Sequence, residues 1–171
     1  KRLKMALVLR KSSNIANGIA SCGGPILLGP DGIIPYTGSV NSLFDKVLKF
    51  ESISGTTEYR LVYLYNDPAN STTVYQPRVK LLIVPESEIA IGSLSRGQVG
   101  QAIPTEKSAP AGVAFKTASD LAAVNNGYLT LDAPTLAPGE FCGIWLRRAT
   151  KASTGSGTIV EELVLEIEYR E

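Results

Sequence analysis

Thr56-Thr57-Glu58-Tyr59-Arg60-Leu61-Val62-Tyr63-Leu64-Tyr65-Asn66 is the stretch whose reading decides the fold. It contains three tyrosines, two leucines and a valine, with no glycine or proline to interrupt it, so it reads as a strand. Strand alternation sends Tyr59, Leu61, Tyr63 and Tyr65 to one side and Val62 and Leu64 to the other. A strand that is apolar on both sides belongs inside a sheet covered on both faces. Asn66-Asp67-Pro68-Ala69-Asn70-Ser71 then breaks it, because Pro68 cannot donate to a ladder and Asn and Asp favour turns. The expectation is a central strand of a β-sandwich, with its tyrosines as filler and their hydroxyls at the rim of the sheet.

Further strands flank it on both sides. Lys4–Arg10 alternates with charges at its ends. Arg78–Val84 lies between Pro77 and Pro85, which mark its expected limits. Glu88–Ile91 is expected to end at Gly92. Val113–Phe115 and Tyr128–Leu131 are short. Phe141–Arg148 places Cys142, Ile144 and Leu146 on one face and Phe141, Trp145 and Arg147 on the other. Glu162–Tyr169 turns Leu163, Leu165, Ile167 and Tyr169 inward and Glu162, Glu166 and Glu168 outward, which suggests a face open to solvent or to a basic partner. Asn41–Phe50 is the best helix candidate, with Asn41 or Ser42 as cap. Ser119–Val124 is ambiguous.

Seven to nine short strands, regular turn signals and no internal repeat predict an all-β fold. The expected form is an antiparallel β-sandwich, immunoglobulin-like or jelly-roll, with one short helix and an extended N-terminal arm. The chain has 171 residues and is 44% hydrophobic, enough for one well-buried domain spanning 1–171. Within it, 11–38 reads as a Gly/Pro-rich arm or loop that still carries anchoring Ile and Leu. The expectation is that this arm reaches toward a neighbouring subunit.

Composition narrows the function classes. The net charge is +1, without the basic surface that a nucleic-acid or anionic-membrane partner requires, so neither partner is expected. No apolar run is long enough to cross a membrane. Met5–Leu9 is too short for the core of a signal peptide. There is no histidine, which excludes Ser-His-Asp and Cys-His catalysis. Cys22 and Cys142 lie far apart without metal-ligand spacing and read as small buried hydrophobes.

No calcium loop or phosphate-binding glycine loop is present. Glu86 with Glu88, or Glu162, Glu166 and Glu168, could be glycosidase carboxylates, but solvated charge on an outer strand is the ordinary explanation. Trp145 with Arg147 and Arg148 could stack on a sugar or bind an acidic partner; the plainer reading is a core Trp with a surface arginine pair at a strand end. Asn70-Ser71-Thr72 matches a glycosylation acceptor by chance. No catalytic, cofactor-binding or metal-ligating residue is therefore expected, and the chain is not expected to be an enzyme.

One ordered set of segments carries a resemblance. Asn41-Ser42-Leu43-Phe44-Asp45, Glu58-Tyr59-Arg60, Tyr63-Leu64-Tyr65-Asn66, Ile89-Ala90-Ile91-Gly92, Ala109–Phe115, Leu136-Ala137-Pro138-Gly139-Glu140 and Ile144–Arg148 follow one another in a way that resembles small structural proteins of tailed-bacteriophage virions. The resemblance covers roughly Asn41 to Arg148. It implies a virion component without catalytic residues or cofactors, assembled in the host cytoplasm and homo-oligomeric. The partners implied are the major capsid protein or other virion proteins. A capsid decoration (cement) protein on the capsid surface leads. A neck, tail or baseplate component and a carbohydrate-binding host-attachment module are the alternatives.

Overall fold

The computed structural model describes residues 7–34, 44, 49–82, 87–150 and 165–171. Within them lie β1 (Leu7–Lys11), α1 (Lys49–Ser54), β2 (Thr56–Asn66), β3 (Val74–Leu81), β4 (Glu88–Arg96), β5 (Lys116–Thr117), α2 (Ala118–Ala122), β6 (Tyr128–Thr130), β7 (Thr135–Leu136), β8 (Phe141–Thr150) and β9 (Leu165–Arg170). They form two antiparallel sheets, so the fold is an all-β sandwich.

The large sheet runs β1-β2-β8-β4-β5. β8 is its middle strand, and β2 lies beside it as an interior strand between β1 and β8. β8 pairs with it along nearly its whole length, from Thr56↔Thr150 to Tyr65↔Phe141, and β1 covers the Val62–Asn66 half of its other edge. Beyond β1, that edge is closed by loop carbonyls: Leu61 N–H donates to Ser21 O (2.8 Å) and Tyr59 N–H to Glu106 O (2.7 Å). Among the described residues, these contacts cover the β2 edge from Tyr59 to Asn66 and keep it from serving as an open ladder.

The small sheet is organised by β3. Tyr75 pairs with both Thr135 and Arg170, and Arg78 with both Thr130 and Glu168. A residue has only two ladder edges, so β6 and β7 follow one another along one edge of β3 and β9 lines the other. β3 differs from its expected limits. It begins at Val74 and carries Pro77 inside it, at a register shift between Tyr75 and Arg78. Gln76 there has φ 48°, a left-handed conformation. This extra residue resets the alternation, so Pro77 turns inward while Arg78 and Lys80 turn outward. Ile83 to Glu86 lie outside the described residues.

Gly92 also differs from expectation. β4 runs through it to Arg96. A Cβ there would lie 2.6 Å from Val113 Cγ1, so the glycine serves close packing and not strand termination. Val113–Phe115 is not a strand; β5 follows at Lys116. The ambiguous segment after it is α2. Thr117 and Asp120 form its capping box: Thr117 Oγ1 accepts from Asp120 N–H (3.2 Å) and Asp120 Oδ2 from Thr117 N–H (2.8 Å). Those bonds hold the Asp120 carboxyl below the usual carboxylate range. Of the helix expected over Asn41–Phe50, residues 41–43 and 45–48 lie outside the described residues. The helix found nearby is α1, starting at Lys49.

Two cores flank the large sheet. Val62, Leu64, Cys142, Ile144, Leu146, Ile89 and Ile91 face the small sheet and meet Val74, Val79, Leu81, Leu136 and Leu165. On the opposite face, Tyr59, Leu61, Tyr63, Leu94 and Trp145 pack with Ala16, Cys22 and Ile103, which belong to loops. The face assignment read from β2 and β8 is thus the one observed. The thiols of Cys22 and Cys142 are free and lie on opposite sides of the sheet.

Candidate interaction surfaces

Three places concentrate polar or exposed side chains. The first is internal. Glu58 and Arg60 share the inner face of β2 with Val62, and Arg148 stands opposite Glu58 in register on β8. Relative exposure is 2% for Glu58, 0% for Arg60 and 3% for Arg148. Arg148 Nε donates to Glu58 Oε2 (3.0 Å), joined by an Nη of the same guanidinium. Arg60 Nη2 lies 3.7 Å from Glu58 Oε1, and its Nη1 donates to Tyr59 O (2.9 Å). Both guanidiniums stack near Phe44, 5.1 and 4.9 Å from the ring centroid. Charge-assisted bonds and cation–π contact make such burial tolerable. Arg148 is therefore not half of a surface pair. Only Arg147 reaches the rim, with Glu88 at 3.3 Å. The signal for this cluster was a Glu and an Arg at inward positions of an otherwise apolar strand.

The second surface is the loop cover. Residues 12–26 fold back over the Tyr63–Trp145 face, and 27–34 return along β1, where Leu27 N–H donates to Lys11 O (3.0 Å), Ile34 N–H donates to Leu9 O (3.0 Å) and Ile34 joins the core toward the small sheet. Ser13 N–H donates to Pro25 O (2.8 Å), Asn14 N–H to Gly23 O (3.0 Å) and Cys22 N–H to Asn14 O (3.0 Å). The Asn14 amide donates to Cys22 O (2.7 Å) and Ile103 O (3.1 Å). Tyr63 Oη links this loop to the next, donating to Gly24 O (2.6 Å) and accepting from Gly100 N–H (2.9 Å). Its hydroxyl is thus buried and not at the rim. Gly23, with φ +83°, sits where any Cβ would overlap the Gln101 carbonyl. Arg10 Nη1 gathers the carbonyls of Leu27, Leu28 and Gly29 at 3.2, 2.8 and 3.1 Å. The described part of the expected arm therefore packs on its own sheet. Ile15, Leu28 and Ile33 remain exposed on it.

The third surface is the outer face of the small sheet. Arg78 and Lys80 stand opposite Glu168 and Glu166 in register. The acidic stripe foreseen on the last strand is thus matched by cations of the same chain. Arg78 Nη2 donates to Glu168 Oε1 (2.8 Å), which holds that carboxyl below its usual range. Tyr128 lies under Arg78, 4.2 Å from guanidinium carbon to ring centroid, with Lys80 Nζ at 5.4 Å. Its hydroxyl donates to Glu166, and that bond pushes the phenol up to about 12.

The other expected site residues separate. Glu88 and Glu166 belong to different sheets, and Glu86 and Glu162 lie outside the described residues. Trp145, Tyr59, Tyr63 and Tyr65 are all buried, so they form no open aromatic platform. Asn70 donates its amide to Asn66 Oδ1 (2.9 Å). Among the described residues, no three His, Cys, Asp or Glu side chains gather to hold a metal ion, and no helix is long and apolar enough to cross a membrane. Compared with known proteins, the chain matches no family model, no curated protein and no solved structure.

Proposed function

We propose that this chain is a structural component of a tailed-phage virion, in first place a capsid decoration protein that binds the capsid lattice and clamps neighbouring subunits. The same class includes a neck, tail or baseplate component as the second reading. The ordered segments between Asn41 and Arg148 support the class by resemblance. One structural observation carries the mode of binding: the 12–34 loop is fixed to the sheet by its own backbone bonds yet turns Ile15, Leu28 and Ile33 to solvent. Large apolar side chains on a preordered segment suit a partner surface, since little conformational entropy is lost on docking. Clamping then works through presented side chains and not through a free arm. A second copy of the chain is a natural neighbour in such a lattice.

The test is mass spectrometry of purified particles followed by cryo-EM of particles made with and without this protein. A decoration protein is present in many copies, and its loss lowers shell stability. An unchanged shell with a missing tail part moves the chain to the second reading. Absence from purified particles ends both. Carbohydrate binding through Trp145, Tyr59, Tyr63 and Tyr65 loses its motive, because those rings are buried.

A further inference from the structure

The outer face of the small sheet holds a hollow of about 240 Å³ between the β3 bulge and the turn that precedes β6. Gln76, Arg78, Asn125, Thr130, Glu168 and Arg170 line it. Two of these, Gln76 and Asn125, have left-handed backbones, φ 48° and 49°. The bulge that seats Pro77 inward also turns Gln76 outward, beside Tyr75. Asn125 belongs to the left-handed run Asn125-Asn126-Gly127. Both amides are therefore placed by irregular backbone that an ordinary ladder would not supply.

On this face Arg78, Lys80 and Arg170 stand against Glu166 and Glu168, and Arg170 acts on Glu168 only through its field. Arg78 is engaged with Glu168 and with the Tyr128 ring. Arg170 has no side-chain hydrogen bond or ion pair among the described residues, and neither do the side chains of Gln76, Asn125 and Thr130. Tyr75 stands opposite Arg170 in register, so both side chains project from the same face, and the Tyr75 ring is 47% exposed.

Tyr75 does not line the hollow but stands at its edge, opposite Arg170; an open ring there, next to a hollow lined by two amides, a hydroxyl and a guanidinium without a hydrogen bond among the described residues, is chemistry that recognises a sugar acid. The C–H face of a pyranose packs on an aromatic ring, and its hydroxyls suit side chains that both donate and accept. A guanidinium takes a carboxylate in a two-pronged bond. At about 240 Å³ the hollow is smaller than the usual ligand site, so no more than one ring would enter it. We propose that this face binds an acidic saccharide of the uronic or sialic acid class, its ring against Tyr75 and its carboxylate on Arg170. The site goes beyond the assembly reading and does not depend on it.

The test is a ¹H–¹⁵N correlation titration of the full chain with glucuronic acid at low salt. N-acetylneuraminic acid, glucose and acetate serve as comparators. Saturable shifts are expected at the amides of Gln76, Asn125, Thr130 and Arg170. Arg170→Gln should weaken binding by about tenfold or more, the usual effect of losing a charge-assisted bond. Tyr75→Ala should weaken it severalfold for both acidic sugars. Both side chains are exposed, so wild-type spectral dispersion is expected and can be checked in the same spectra. Glucose or acetate binding as well as glucuronic acid would overturn the assignment. So would shifts that survive both substitutions, or no saturable shift with either acidic sugar.

Discussion

The two faces of the large sheet are buried equally well but by different means. Toward the small sheet, Val62, Leu64, Ile144 and Leu146 meet strand residues such as Val79 and Leu136. Toward the loops, Tyr63, Leu61 and Trp145 meet Cys22 and Ile103. The first face is closed by regular ladders, which form cooperatively with the rest of the sheet. The second is closed by irregular backbone held by a few specific hydrogen bonds and close glycine contacts. Segments of that second kind open locally at lower free energy than core strands. The difference implies a rigid sandwich carrying a cover that can loosen without global unfolding.

The largest expected effect probes the sandwich side where it is least apolar. Glu58→Ala removes the carboxylate that both Arg148 and Arg60 approach, and breaking such a buried pair costs about 3–5 kcal/mol. That is a large fraction of the roughly 5–15 kcal/mol that holds a typical domain together. Urea unfolding should show a lower midpoint with an unchanged slope. A loss below about 1 kcal/mol would mean that the charges behave as an exposed pair, and that the sandwich face is not closed at this end.

The loop side is probed by Tyr63→Phe. It keeps the ring packed edge-on against Phe141, at 5.3 Å between centroids, and removes only the hydroxyl that joins Gly24 O to Gly100 N–H. Two buried backbone groups lose their partner, a cost of about 1–3 kcal/mol. Hydrogen exchange should speed up in 12–26 and 97–103 and stay unchanged in β8. Equal acceleration in β8 would merge the two faces into one cooperative unit and break the comparison.

These two effects mark what could be read in advance. Strand alternation placed Tyr63 and Val62 on opposite faces, because period two follows from backbone geometry alone. It also assigned Trp145 and Ile144 correctly. It could not show that Tyr63 has a loop carbonyl and a loop amide waiting for its hydroxyl, since those belong to residues 39 and 37 positions away. Pro77 misled for a similar reason. Proline excludes a regular ladder position, but a bulge created by the left-handed Gln76 admits it. Arg148 read as surface because its partner Glu58 lies 90 positions distant. The exposed Tyr75–Arg170 face was invisible until the register was known, as neither residue sits in a motif.

The two cysteines report on the two faces separately, with a smaller effect. Cys142 lies in the sandwich core and its thiol is pushed up to about 11, chiefly by burial. Cys22 lies under the loop cover and is also raised, again chiefly by burial. A thiol reagent added to native protein at neutral pH should modify neither quickly. In low denaturant, below the main transition, Cys22 should react first, through opening of the cover. Cys142 should wait for global unfolding. Simultaneous labelling would show that cover and sandwich open together.

The smallest effect asks whether the sandwich side depends on surface charge. Arg78 donates to Glu168 across β3 and β9 and lowers the Glu168 pKa. A carboxyl lowered in the folded state contributes stability above its unfolded pKa and loses it as the pH falls through the folded value. The Tm gap between wild type and Arg78→Met should therefore be open at neutral pH and narrow as the pH falls below the ordinary carboxylate range. High salt should narrow it as well, since Glu168 is half exposed and the pair is screened. A gap that persists in acid would assign the contribution of Arg78 to its packing over the Tyr128 ring instead. β3 and β6 would then be joined by contact area on the outer face as well as by their ladder, and the outer face would resemble the inner one more than its charges suggest.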